Sequence, residues 1–170
     1  MQFKKVIYQD DEIRFGLAGE FAKPLLDYPI ACGILPLEKV NGQWYLHLVS
    51  QFRMGAQQNS IEIPAGKKLA DESELACAQR ELAEEARLSA TEYNRLYEYY
   101  PAIGISTEKL VIYEALGLQP DTSHAADDDE EIEILHWPVT RLKEAISNKE
   151  ILDSKTILAL HFSESFGVLG

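Results

Sequence analysis

Short apolar runs separated by charged breaks fill the first part of the chain. Lys5 to Tyr8 and Ile13 to Leu17 read as strands, interrupted by Gln9-Asp10-Asp11. Pro29 to Leu37 is continuously apolar and reads as a buried strand. Gln43 to Phe52 alternates and is rich in strand formers, with a hairpin turn signal, Asn41-Gly42, just ahead of it. Ile61 to Ile63 is another short strand, ended by Pro64-Ala65-Gly66. The period then changes. Leu75, Ala78, Leu82 and Ala86 recur at helical spacing, which predicts a helix from Glu72 to about Arg87 with one apolar stripe. Asp71 with Glu74 three residues on is a capping-box pattern at its start. Strands resume at about Arg95 to Tyr100, Lys109 to Leu116 and Glu131 to Trp137, and helical segments follow Pro138 and Asp153. This order predicts an α+β fold, either a mixed arrangement or an αβα sandwich, and not a doubly wound sheet. With no repeat, low-complexity tract or Gly/Ser linker, residues 1–170 are expected to form one domain, a short β segment over 1–28 and a core over 29–170.

Charge narrows the partners. Lys and Arg total 16 against 28 Asp and Glu, a formal net charge of -12. Such a surface repels polyanions, so nucleic acid and anionic lipid are excluded as expected partners. A small phosphorylated substrate stays open, provided positive charge is imported to hold it, and divalent metal ions are the usual import. Cys32 and Cys77 cannot build a disulfide framework, so a reducing, cytoplasmic setting is expected and both read as small core residues. No apolar run approaches the ~18 residues of a membrane span, and the N-terminus does not read as a signal peptide.

The helix is where chemistry concentrates. Glu81 and Glu85 are four apart and Glu84 is three from Glu81, which puts all three on one side. Like charges at that spacing cost roughly 0.2–0.5 kcal/mol each in an isolated helix. Cations relieve that cost, and hard oxygen donors on one rigid face suit Mg²⁺ or Mn²⁺. The same spacing also fits a solvated helix face. Arg80 can pair with Glu84 at i+4.

The residues ahead of the helix decide between these readings. Gly66, five residues, Glu72, seven residues, then Arg80-Glu81-Leu82-Ala83-Glu84-Glu85-Ala86-Arg87-Leu88 resembles the Nudix box, the loop–helix–loop signature of the Nudix hydrolases. One box position departs: Arg87 stands where the family has glycine. Ile61-Glu62-Ile63-Pro64-Ala65-Gly66, Gln51-Phe52-Arg53, the Tyr99 to Glu108 loop and the run Asp127 to Ile134 followed by Trp137-Pro138 resemble elements of the ADP-ribose pyrophosphatase branch. Ile103 departs from that branch, which often has proline there, and so leaves other nucleoside diphosphate sugars open.

The resemblance implies an αβα sandwich with the box helix against a mixed sheet. It implies hydrolysis of the diphosphate in ADP-ribose or a related nucleoside diphosphate sugar, with Mg²⁺ or Mn²⁺ as cofactor and a homodimer as assembly. Carried over residue by residue, Glu81, Glu85 and the Ala65 carbonyl are metal ligands, and Glu84 ligates directly or through water. Gly66, Glu72 and Arg80 hold the motif in place. In the run Asp127-Asp128-Asp129-Glu130-Glu131, Glu130 falls where the branch has a further metal ligand and Asp128 where it has a base or water-orienting glutamate. Glu108 is a second candidate for base or substrate contact, and Glu62 is expected to be a substrate-binding residue. No Ser, Cys or His nucleophile is required, because metal-assisted in-line displacement depends on positioning.

Arg53 is a candidate phosphate or ribose contact, since a guanidinium grips oxygens bidentately. Phe52, Tyr97, Tyr99 and Tyr100 could stack on a base, though strand aromatics also serve as core. His47, His124, His136 and His161 are scattered without ligand spacing. Two rival readings remain: a Nudix-like module that senses a nucleotide without turnover, and an acidic structural or Ca²⁺-binding protein, for which no EF-hand loop is present.

Overall fold

The computed structural model describes residues 2–121 and 132–170. Three antiparallel strands, β1 (Phe3–Gln9), β2 (Arg14–Ala18) and β3 (Lys23–Asp27), form a small sheet in that order. The larger sheet contains β4 (Ala31–Val40), β5 (Gln43–Arg53), β6 (Gln58–Glu62), β7 (Ala65–Lys67), β8 (Leu88–Tyr99), β9 (Leu110–Pro120) and β10 (Glu133–Pro138). Its order is β10-β5-β4-β9-β8, with β6 beside β5 and β7 beside β4. β4 and β9 pair in parallel and the other pairings are antiparallel, so the sheet is mixed. The helices are α1 (Glu74–Ala86), α2 (Val139–Ser147) and α3 (Ser154–Phe166).

The parallel pair is the centre of the fold because its residues are apolar on both faces. Ala31, Leu35 and Leu37 of β4 join Leu110 and Ile112 of β9 against Leu142 and Ala145 of α2 and Ala159, Leu160 and Phe162 of α3. The alternate residues Cys32, Ile34, Val111, Tyr113 and Ala115 pack on Cys77, Ala78, Leu82 and Ala86 of α1. α1 thus covers one face and α2 with α3 the other, which is the expected αβα sandwich. Cys32 and Cys77 are fully buried between sheet and α1, as expected of small core residues.

The small sheet docks through the chain that follows it. Leu26 N–H donates to Ile105 O at 2.8 Å, and Thr107 N–H to Leu26 O at 2.9 Å. Tyr28 N–H donates to the Thr107 hydroxyl at 2.8 Å. These bonds fix the segment leading to Glu108.

Several expectations are corrected. β3 lies in a stretch whose Pro24 argues against a strand; at the edge of a sheet the missing N–H costs nothing. β7 has no strand-forming side chains and exists because it pairs with β4, Ala31 opposite Lys67 and Gly33 opposite Ala65. β8 begins at Leu88, not near Arg95, since its first residues pair with the end of β9. α1 starts at Glu74 rather than Glu72, and its cap is Ser73, whose hydroxyl accepts from Ala76 N–H at 3.0 Å, in place of Asp71. Leu75 is exposed, and Cys77 takes its place on the buried stripe.

Candidate active site

The loop before α1 is built around carboxylates. Ile34 N–H donates to Pro64 O at 2.9 Å and Lys68 N–H to Ile30 O at 2.8 Å. Alternation along an antiparallel ladder therefore turns the Ala65 peptide groups away from β4. The Ala65 N–H donates to Glu85 Oε2 at 2.8 Å, and its carbonyl faces the same side. At Gly66 a Cβ would lie 2.0 Å from Glu81 Oε1, so only glycine leaves that carboxylate its place.

Arg80 organises the rest. Its Nε donates to Glu72 Oε1 at 2.9 Å and its Nη2 to Glu72 Oε2 at 3.1 Å. Nη2 also reaches Lys67 O at 2.9 Å, which ties the helix to the loop. Nη1 bridges Glu81 at 2.7 Å and Glu84 at 2.8 Å. Glu72 in turn accepts from Leu69 N–H at 3.1 Å. Burial alone would raise the Glu72 carboxyl, but its bonds to Arg80 and Leu69 hold it below the ordinary glutamate value. Glu81 goes the other way: burial, with Glu84 and Glu72 nearby, lifts it above that value despite Arg80.

These groups open onto one cleft of about 470 Å³, lined by Ala65, Gly66, Glu81, Glu84 and Glu85 on one part and by Tyr28, Arg53, Glu108 and Lys155 on another. Glu81 and Glu85 are 7% and 9% exposed, so the acidic face of α1 is packed against the motif loop rather than solvated. Glu108 lies in the same cleft, its carboxyl raised by burial against the opposing charge of Lys155.

Arg53 and Glu62 form a fork, Nε to Oε1 at 3.0 Å and Nη2 to Oε2 at 2.7 Å. Lys155 also pairs with Glu62, and with Asp153 at 3.1 Å. Burial works to raise the Glu62 carboxyl, yet these two cations win and hold it at about 2. Lys155 carries no motif signal. It sits 93 residues from Glu62 and is placed by the Asp153 cap of α3, so spacing could not have found it.

The donor set fits a hard divalent cation. Glu81, Glu84, Glu85 and the Ala65 carbonyl offer oxygen only, and they line one cleft together. Glu130 and Asp128 lie outside the described residues.

Other sequence candidates do not converge. Among the aromatics considered for stacking, Phe52, Tyr97 and Tyr100 are exposed and do not line the cleft, and Tyr99 packs near Phe162. The cleft's aromatic is Tyr28, ahead of the first core strand, where nothing in the pattern singled it out. Two of the histidines are not scattered: His47 and His136 are cross-strand partners on β5 and β10, and both contact Glu38 of β4. Strand pairing across some ninety residues hides this from any local spacing.

A family model for the NUDIX domain matches residues 27–157. The chain is 26% identical over 155 residues to a methanol dehydrogenase activator of Bacillus methanolicus, covering 91% of this chain and 82% of that protein. It is also 26% identical over 155 residues to an ADP-ribose pyrophosphatase of Bacillus subtilis (strain 168), 91% of this chain and 81% of that protein. A GDP-mannose pyrophosphatase of Klebsiella pneumoniae is 32% identical over 130 residues, 72% of this chain and 65% of that protein. Among solved structures, an ADP compounds hydrolase superposes with a TM-score of 0.73 at 18% identity, covering 98% of this chain and 95% of that one, a likeness of fold.

Proposed function

This chain belongs to the Nudix family, and from that premise we propose that it is a Mg²⁺-dependent pyrophosphatase of ADP-ribose or another nucleoside diphosphate sugar. The products are a nucleoside monophosphate and a sugar phosphate. The observation that carries the reading is the sharing of one cleft by Glu81, Glu84 and Glu85 with Arg53 and Lys155. Acids to seat cations and cations to meet phosphate are what a diphosphate needs on a protein of net charge -12.

Glu81, Glu85 and the Ala65 carbonyl would hold the metal, with Glu84 completing the set and Mn²⁺ able to substitute. When bound, such a cation neutralises diphosphate oxygens and lowers the pKa of water. Arg80 and Glu72 fix the helix against the loop. Glu108 is the described carboxylate best placed to take a proton from water, since burial raises its affinity for one. Arg53, locked by Glu62, presents a rigid guanidinium to the phosphate side, and Lys155 adds a second charge. Tyr28 offers a ring to the nucleoside. Asp128 is the alternative to Glu108 as base or water-orienting group, and Glu130 a further metal ligand. We read the chain as one catalytic domain, cytoplasmic, and a homodimer whose contact uses the apolar groups Val6, Ile7 and Phe15 on the small sheet.

The names of the relatives favour ADP-ribose and GDP-mannose as first substrates. A panel of ADP-ribose, GDP-mannose and UDP-glucose, assayed by phosphatase-coupled phosphate release with Mg²⁺ or with chelator, tests this. Turnover that requires the metal is expected. Tight binding without turnover across the panel would make the chain a nucleotide sensor instead.

A further inference from the structure

Away from the cleft, three metal-competent side chains meet on the α1-side face of the sheet. Glu38 is near the end of β4, His47 on β5 and His136 on β10. His136 is the direct partner of His47, while Glu38 is paired with Tyr45, two residues from His47 and on the same face. His47 Nε2 lies 3.0 Å and His136 Nε2 2.8 Å from the same oxygen, Glu38 Oε1. The two rings stack with centroids 4.5 Å apart at 22°. One donor atom from each residue falls within 4.8 Å of the others, and no other such group occurs among the described residues.

We propose that Glu38, His47 and His136 form a second metal site, one that takes a borderline divalent cation of the Zn²⁺ class. The donor set separates it from the cleft. Two imidazoles with one carboxylate suit Zn²⁺, Co²⁺ or Ni²⁺, whereas the all-oxygen cleft suits Mg²⁺. Coordination requires each ring as the Nδ1–H tautomer, with its Nε2 lone pair on the cation and Glu38 Oε1 as the third ligand. His47 is the buried side of the site at 17% side-chain exposure and His136 the open side at 43%, which leaves room for water as a fourth ligand.

The site is remote from the proposed chemistry. Ala31, at the other end of β4, lines the cleft, and seven residues of strand span roughly 23 Å. Its role is therefore structural: a cation there staples the edge strand β10 to β5 and β4, which a hydrogen-bonded ladder on one side alone leaves free to fray.

The test uses the whole protein in excess Mg²⁺, titrated with Co²⁺ and separately with Zn²⁺. One tight equivalent per chain is expected, with a visible Co²⁺ absorption band and a rise in melting temperature on adding Zn²⁺. His136→Ala and Glu38→Gln should each lose the band and the thermal shift while keeping the wild-type circular dichroism and Mg²⁺-dependent hydrolysis. His136 is exposed, so its loss leaves the core intact. No tight equivalent in the wild type, or an unchanged Co²⁺ band in both variants, overturns the proposal.

Discussion

A Cβ at Gly66 would stand 2.0 Å from Glu81 Oε1 and 2.2 Å from its Cδ. The glycine of the motif and its first helical glutamate are thus one steric unit, fifteen residues apart in the chain. What collides is the end of a side chain and not backbone, so Gly66→Ala should fold. The carboxylate must leave its place and its contact with Arg80. Turnover of ADP-ribose is expected to fall by about 10²-fold, the cost of a roughly 1 Å misplacement in a positioned site. Steady-state kinetics beside a thermal melt check this; near wild-type turnover would show that Glu81 need not sit there.

The Glu62 carboxyl, held at about 2 by Arg53 and Lys155 against the pull of burial, contributes stability with a defined pH window. Above the unfolded value of 4.5 the group is ionised in both states and the contribution is complete. As pH falls from there toward 2, the unfolded chain takes up the proton first and the contribution is lost. Its size above that window is roughly 3 kcal/mol. Glu62→Gln should therefore be less stable than wild type by about that amount at pH 7, and the gap should shrink steadily below pH 4.5. Urea unfolding of both proteins across this range measures it, and a gap that stays constant with pH would remove the ion pairs as its cause.

Arg87 ends α1 in the left-handed region, φ 58° and ψ 35°, with its N–H shared between Ala83 O and Leu82 O. The turn that glycine makes in the family is kept, and Asp121 N–H bonds the Arg87 carbonyl at 2.9 Å. A side chain there costs about 1 kcal/mol relative to glycine. Arg87→Gly is expected to raise the melting temperature by about 2–4 °C, and Arg87→Val, β-branched at positive φ, to lower it. Neither should change turnover more than about twofold, since the residue lines no part of the cleft. Scanning calorimetry of the pair gives the sign.

What was legible in the sequence was what depends on local order. The continuous apolar run that became β4, the helical stripe of α1 and the fixed spacing from Gly66 to Glu85 each carry their own signal, and they led to the sandwich and to the motif. What escaped depends on contacts between distant segments. β7 is a strand only because β4 lies beside it. Lys155 enters the site from α3, and Tyr28 from the chain ahead of β4. Glu38, His47 and His136 meet through the order β10-β5-β4, which no spacing announces. The Ser73 cap displaced Asp71 for a local reason: both residue types suit the position, and geometry chose the one adjoining the first helical turn.

Two carboxylates compete for the role of base, Glu108 in the cleft and Asp128 in the acidic run outside the described residues. Glu108 N–H is anchored on the Ser106 hydroxyl at 3.1 Å, and the segment before it is bonded to Leu26, so its backbone is fixed beside the site. Its carboxyl, raised by burial, must lose a proton before it can accept one from water. If it is the base, kcat rises with pH along an acid limb set by that group, and Glu108→Gln lowers kcat by about 10²–10⁴-fold while flattening the limb. Asp128→Asn then leaves the limb in place. The opposite pattern, with Glu108→Gln changing KM alone and Asp128→Asn removing the limb, would assign Glu108 to substrate contact and the proton to Asp128. Profiles of kcat and of kcat/KM against pH for the two variants in saturating Mg²⁺ separate the cases.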